Sequence, residues 1–105
     1  MFKVLLFKVK EEGVSTATFK KHMLEDRPPE IDSTPGIRGY ELSFPTDPPD
    51  SQYDSYEAMY FESMDDMQEA FESEAADRAH EKGQGIINFG RERSVIVETA
   101  LTAKF

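Results

Sequence analysis

Residues 26–44 read DRPPEIDSTPGIRGYELSF and decide the fold of this chain. A helical pattern ends at Arg27 against two prolines, because each proline disfavours helical geometry at the residue before it. We therefore expect the chain to leave the helix in an extended conformation. It then crosses a gap, and Pro35-Gly36 opens a strand. No residue of the stretch completes a nucleophile, metal or phosphate site, so the stretch predicts an architecture and leaves the chemistry open.

The composition predicts a single domain over residues 1–105. The chain has 38% hydrophobic and 11% aromatic residues, which is enough for one core of modest size. Its 21 acidic and 12 basic residues give a net charge of -9. Such a field repels phosphate groups, so we expect no nucleic-acid or membrane partner. A halophilic source is an alternative explanation of the acidity.

The chain contains no cysteine, which excludes disulfides, thiol nucleophiles and zinc-ribbon or iron–sulfur sites. This fits a cytoplasmic protein. The opening MFKVLLFKVK has an apolar run too short for a membrane span and no small-residue cleavage site, so we interpret it as a strand and not as a signal peptide.

Hydrophobic periodicity predicts the element order β-α-β-β-α-β. Ser15 or Thr16 is expected to cap the first helix, and Ser63 the second, which has a possible break near Ser73 and ends at Gly83. Proline-rich residues 45–51 are expected to form an exposed loop. The predicted strands cover residues 2–9, 37–44, 53–62 and 91–99, and the first helix covers residues 16–25.

Right-handed crossovers place both helices on one face of a four-stranded antiparallel sheet, which is the ferredoxin-like α+β fold. The strands carry apolar residues on both sides, so something must cover the other face. A two-fold homodimer that buries about 800 Å² per partner is the simplest cover.

The sequence resembles the EthD-type members of the dimeric α/β barrel superfamily. The resemblance rests on Phe19 with His22-Met23, on Arg27-Pro28-Pro29, and on the segments TPGIRGYEL and YDSYEAMYFES. It implies a dimeric α/β barrel that handles small organic molecules, often aromatic or ether-containing. Relatives in the superfamily include cofactor-free monooxygenases, isomerases and polyketide cyclases.

Arg27 is the main departure from the family, which usually carries a histidine at that position. A guanidinium stays charged, so an acid–base role does not transfer to it, whereas binding of an anionic oxygen could. The alternative that we favour is a surface ion pair of Arg27 with Asp26 or Glu30.

His22 is the candidate catalytic residue, as a general base beside the cleft between helices and sheet. The alternative is a half-buried histidine that bonds to backbone. Arg27, Tyr40, Tyr60 and Phe61 are the predicted ligand-binding residues, although the tyrosines could equally serve packing. His80 fits a solvated helix face, and two histidines this far apart predict no metal site.

We therefore expect a homodimer that binds an apolar, oxygenated small molecule where Tyr60, His22 and Arg27 converge, without metal or organic cofactor. It could act as a cofactor-independent monooxygenase, isomerase or cyclase-like enzyme. The alternative is a non-catalytic accessory or interaction protein of a catabolic or biosynthetic pathway. Haem or quinone chemistry is less favoured, because no motif positions a histidine or asparagine for it.

Overall fold

The computed structural model describes residues 1–47 and 51–104. It confirms the predicted order, because a four-stranded antiparallel sheet of order β2-β3-β1-β4 carries all its helices in the two crossovers. Part of the predicted loop at 45–51 lies outside the described residues. In chain order the elements are β1 (Phe2–Lys8), α1 (Thr16–Lys21), a π-helical turn (His22–Asp26), α2 (Pro28–Asp32), β2 (Gly39–Ser43), β3 (Ser55–Phe61), α3 (Met64–Phe71), α4 (Glu74–Lys82) and β4 (Arg93–Glu98).

The two faces of the sheet differ because side chains alternate along each strand. On β1, Val4, Leu6 and Lys8 are buried beneath the helices, while Leu5 and Phe7 point to the opposite side. We call that opposite side the open face. Cross-strand pairing assigns to it Lys3, Leu5, Phe7, Tyr56, Ala58, Tyr60, Val95 and Val97.

The core lies between the sheet and the helices. Phe61 on β3 is completely buried there and packs 6.3 Å, centroid to centroid, from Phe71 on α3. Burial of such a side chain stabilises the fold by about 1.5–3 kcal/mol. The main cluster consists of Val4, Leu6, Ile31, Met59, Phe61, Met67 and Ala70, and a second one of Phe19, Met23 and Ile87.

The first helical crossover differs from the prediction. Arg27 keeps helical dihedrals (φ −78°, ψ −42°), and its N–H bonds to the carbonyl of His22 at 3.2 Å, five residues back. This π-helical turn lets Pro28 and Pro29 begin α2, whose first turn does not need their missing N–H groups. The predicted extended exit at Arg27 is therefore wrong.

The second crossover follows the prediction. Ser63 caps α3 by accepting a hydrogen bond from the N–H of Asp66, and Ser73 caps α4 in the same way. The chain then turns tightly at Gly83, where a Cβ would lie only 2.9 Å from the ring of Phe89. This contact holds the segment after α4 against the end of that helix. Within residues 1–47 and 51–104, no helix has the length and apolar character needed to span a bilayer.

Candidate ligand cavity between helices and sheet

A cavity of about 180 Å³ lies between the sheet and α2, α3 and α4. An apolar cavity of about 150 Å³ in another protein accommodates benzene, so this one has room for a monocyclic molecule. Its apolar lining consists of Leu6, Ile31, Met59, Ala70, Phe71, Ala75, Ala76, Ala79, Ile87 and Phe89, and its polar lining of Lys8, Arg27, Glu30, Thr34, His80 and Glu92.

Small side chains on α4 create the space. Ala75, Ala76 and Ala79 recur at helical spacing, so they form one stripe that faces the sheet. A methyl group reaches only a short distance from the helix, and the helix therefore cannot fill the gap above Leu6 and Met59. The spacing of the alanines is visible in the sequence, but only the tertiary structure leaves room beneath them.

Ionised groups meet at the floor of the cavity. The Glu57 side chain on β3 is fully buried, and the Arg27 Nε donates to its Oε2 at 2.5 Å. The Tyr40 hydroxyl donates to the same oxygen, and the Lys8 Nζ lies 3.5 Å from Oε1. Lys8 also donates to Glu92, which precedes β4. We call these five residues the floor cluster.

The ion pair predicted for Arg27 is thus different from the observed one. Its partner is Glu57, 30 positions away in sequence, and neither Asp26 nor Glu30. The pair is also buried instead of lying on the surface, since the side-chain exposures of Arg27 and Glu57 are 9% and 0%. The π-helical turn carries Arg27 past the end of α1 and directs its side chain under the helices.

The floor cluster fixes the protonation of two of its members. Burial alone would lower the pKa of Arg27, but the charge of Glu57 and the neighbouring Tyr40 raise it above its ordinary value. Burial, and then the charge of Glu57, raise the pKa of Tyr40 as well. Arg27 therefore stays a cation, and Tyr40 stays a neutral hydroxyl that donates to the carboxylate.

Glu30 links α2 to α4 at the edge of the cavity. Its two carboxylate oxygens accept from the Lys82 Nζ and the Arg78 Nε, both at 2.8 Å. The hydrogen bonds from Lys82 and Arg78 lower the pKa of Glu30. Both cations are roughly half exposed, so these pairs form the solvent side of the cavity wall.

His80 lies at the rim of the cavity, where its ring stacks on Phe89 with centroids 4.2 Å apart. It is exposed, as expected from the sequence, but it also lines the cavity. The sequence reasoning therefore missed it as a site residue. Its i+4 spacing from Ala76 places it next to the alanine stripe and could have indicated this position.

The other candidate histidine, His22, does not line the cavity. It is buried, and its Nδ1 lies 3.1 Å from the Asp26 Oδ2 one turn away. The alternative interpretation expected His22 to bond to backbone, whereas its observed partner is the side-chain carboxylate of Asp26. Both residues are buried, but Arg27 lines the cavity and His22 does not. The expected convergence of His22 with Arg27 on the cavity is therefore not observed.

Tyr60 and Phe61 also stand apart from the cavity, because neighbouring residues of a strand point to opposite faces. Tyr60 lies on the open face, where its hydroxyl donates to Glu41 and the Lys3 Nζ is 5.6 Å from its ring centroid. Phe61 belongs to the core. The expected convergence of Tyr60 with Arg27 is wrong, whereas Tyr40 does join Arg27 through Glu57.

Among the described residues, no group of three or more His, Asp or Glu side chains could hold a metal ion.

No protein-family model matches the sequence, and no curated protein matches it either. Solved structures, in contrast, match over nearly the whole chain. An ethyl tert-butyl ether d (EthD) family protein from Bacillus halodurans has 17% identity and a TM-score of 0.74, with 94% of this chain and 99% of that chain covered.

Two further structures extend the comparison. A dimeric ferredoxin-like protein of unknown function from Thermobifida fusca has 8% identity, a TM-score of 0.77, and coverage of 93% of this chain and 90% of that chain. SnoaB, a cofactor-independent oxygenase from Streptomyces nogalater, has 12% identity, a TM-score of 0.69, and coverage of 96% and 93%. At these identities the likeness shows the fold, so the ferredoxin-like prediction is confirmed.

Proposed function

We propose that this protein is an EthD-like, homodimeric α/β barrel protein that binds a small, apolar, oxygen-containing organic molecule between its helices and its sheet. The observation that carries the proposal is the cavity of about 180 Å³, whose walls are mainly apolar and whose floor holds buried Lys8 and Arg27. Ligand sites of proteins combine such apolar walls with a few fixed polar groups.

The cavity sets the size of the ligand. It is smaller than the roughly 300 Å³ at which pockets begin to enclose drug-sized molecules. A single ring with a short substituent fits the volume. Arg27 is proposed to contact the ligand as a lining residue of the cavity. Tyr40 is proposed to hold Glu57, the carboxylate partner of Arg27, in place.

A cavity-filling variant tests the binding site. Ala79→Leu places a larger side chain into the cavity, while Ala17→Leu adds the same atoms on the exposed side of α1. We expect toluene to bind the parent protein and Ala17→Leu, and to bind Ala79→Leu at least about tenfold more weakly, because the space is filled. Titration followed by NMR chemical shifts measures this. Equal binding by both variants would place the ligand elsewhere.

A cofactor-independent reaction on the bound ligand is the catalytic form of the proposal. His80 is the group that we propose for proton transfer, because imidazole exchanges protons near neutral pH and lies at the cavity rim. His22 remains a prediction for the same role. Once a turnover assay exists, His80→Gln should abolish proton transfer and His22→Gln should not; the reverse result would return the role to His22. Activity that a chelator removes would contradict the expectation that no metal is needed.

The alternative function is a non-catalytic accessory or interaction protein. The observation that favours it is that the buried charges of the floor cluster already pair with one another, so none is held ready for chemistry. Under this alternative His80→Gln would leave ligand and partner binding unchanged, and no ligand would be converted. We also propose a cytoplasmic location, which the cysteine-free composition favours.

The homodimer is proposed to form through the open face. Leu5 and Phe7 lie at its centre, and Phe7 makes aromatic contacts with Tyr53 and Tyr56 at 5.4 and 5.8 Å. At least one solved structure of this fold is described as dimeric. Leu5→Glu should therefore convert the dimer to a monomer in light scattering, since it buries an unpaired charge. Leu101→Glu, at an 86% exposed position, is the control. A parent protein that is already monomeric at micromolar concentration would contradict the proposal.

A further inference from the structure

We infer that Lys8 is the polar anchor of the cavity, and that the balanced charge around it makes the cavity select an uncharged oxygen acceptor, such as a ketone or aldehyde, over the corresponding carboxylate. The inference rests on the proposed function, because it assigns a ligand class to the same cavity.

Lys8 occupies an unusual position for a lysine. It lies on the central strand β1, its exposure is 3%, and it lines the cavity two residues after Leu6 on the same face. Lysine side chains are almost never buried to this degree unless they have partners. The side chain cannot extend its charge to water here, so its donors have to be satisfied within the cavity.

The partners of Lys8 leave donor capacity unused. An ammonium group has three N–H donors. One of them bonds to Glu92, while the Glu57 Oε1 at 3.5 Å has no hydrogen-bond partner among the described residues. Lys8 thus attracts Glu57 electrostatically but donates no well-formed hydrogen bond to it. A ligand oxygen in the cavity can accept a hydrogen bond from one of the remaining N–H groups of Lys8.

The charges of the floor cluster explain why that oxygen should be uncharged. Lys8 and Arg27 are balanced by Glu57 and Glu92, so the buried site is neutral before a ligand arrives. A carboxylate would add an uncompensated charge beside largely buried groups, and this is costly. A carbonyl oxygen gains the hydrogen bond without that cost.

The remaining charged groups near the cavity do not change this balance much. Glu30 is bonded by Arg78 and Lys82, whose side chains are 47% and 43% exposed. Water screens these cations, so their attraction for an anion at the floor is weak. Arg27 is the competing donor, because it also lines the cavity and has N–H donors besides the Nε that bonds to Glu57. The double variant described below distinguishes the two donors.

Three probes with one ring test the inference on the unmodified protein: toluene, acetophenone and benzoate. The last two have the same number of non-hydrogen atoms and differ in charge. We expect acetophenone to bind about tenfold or more tightly than toluene, since a hydrogen bond from a charged donor is gained. Benzoate should bind at least about tenfold more weakly than acetophenone. Contacts between the acetophenone methyl group and the Lys8 side chain in NMR spectra would locate the anchor.

The double variant Lys8→Met with Glu92→Gln tests the residue itself, because it removes the ammonium and one carboxylate together and keeps the cluster neutral. It should still bind toluene, which shows that the cavity has formed, and should lose the preference for acetophenone. A retained preference would show that Lys8 is not the donor and overturn the inference. If the double variant does not fold, the probe series and the NMR contacts on the unmodified protein decide the question.

The results separate the inference from the proposed function. Binding of toluene and acetophenone with equal affinity, or tighter binding of benzoate, would overturn the role of Lys8 and leave the ligand cavity in place. Absence of binding for all three probes would contradict the proposed function and the inference together.

Discussion

Glu57→Gln is the substitution with the largest effect that the floor cluster predicts. The change keeps the size of the side chain, so it opens no cavity, but it removes a carboxylate that is fully buried and 2.5 Å from the Arg27 Nε. Arg27 would then be a buried cation without its carboxylate partner, whereas Lys8 would keep its pair with Glu92. Removal of one partner from a buried ion pair costs about 3–5 kcal/mol.

This cost is large compared with the whole stability of a domain, which is about 5–15 kcal/mol. For a chain of 105 residues we expect the Tm to fall by about 12 °C or more. Urea unfolding followed by far-UV circular dichroism measures the free energy of unfolding, and circular dichroism is the suitable signal because the chain has no tryptophan. Protein concentration is held fixed, since a dimer makes stability concentration-dependent.

Arg38 and Glu62 provide a matched control on the surface. They form the same kind of pair at 3.4 Å, but their side chains are 56% and 58% exposed. Glu62→Gln should change the free energy of unfolding by only about 0–1 kcal/mol. The double variant Arg27→Met with Glu57→Gln should be more stable than the sum of the single effects predicts. If Glu57→Gln costs no more than Glu62→Gln, the reasoning about the floor cluster is wrong.

Three further changes are predicted from single contacts. Hydrogen bonds lower the pKa of Glu30 in the folded protein from its ordinary 4.5. The stabilisation by ionised Glu30 is therefore present above about pH 4.5 and is lost as the pH falls below that value. Glu30→Gln should flatten this acidic part of a plot of unfolding free energy against pH. Burial raises the pKa of Tyr40 above its ordinary 10.0, so stability should fall as the pH rises past 10, and Tyr40→Phe should reduce that alkaline loss in the same measurement. Ser73→Ala removes the acceptor for the Ala76 N–H at the start of α4 and should cost about 0.5–2 kcal/mol in urea unfolding; no change would mean that water replaces the cap.

Local patterns were sufficient for most of the architecture. The cap at Ser63, the break near Ser73 and the alternation along β3 depend on contacts within a few residues, which a sequence displays directly. The same alternation was sufficient to show that two of the predicted ligand-binding residues point to opposite faces of the sheet. Because Tyr60 and Phe61 are neighbours on a strand, they could not both line one cavity.

The path of the chain at Arg27 was not predictable in the same way. The preference of a residue before proline for extended geometry is a tendency, and burial of the Arg27 side chain against Glu57 outweighs it here. The compensating partner comes from β3, far away in sequence. No local pattern could therefore reveal that the helix continues through a π-helical turn into α2.

Residues 26–44 can be assigned to a ferredoxin-like domain from the sequence, because strand alternation, helix periodicity and capping are short-range properties of the chain. The site depends on long-range contacts. The tertiary structure brings Lys8, Arg27, Glu57 and Glu92 together from separate elements and leaves space beneath the alanines of α4. In the sequence each of these charges is an ordinary polar residue, and only the fold pairs them into a neutral and largely buried cluster.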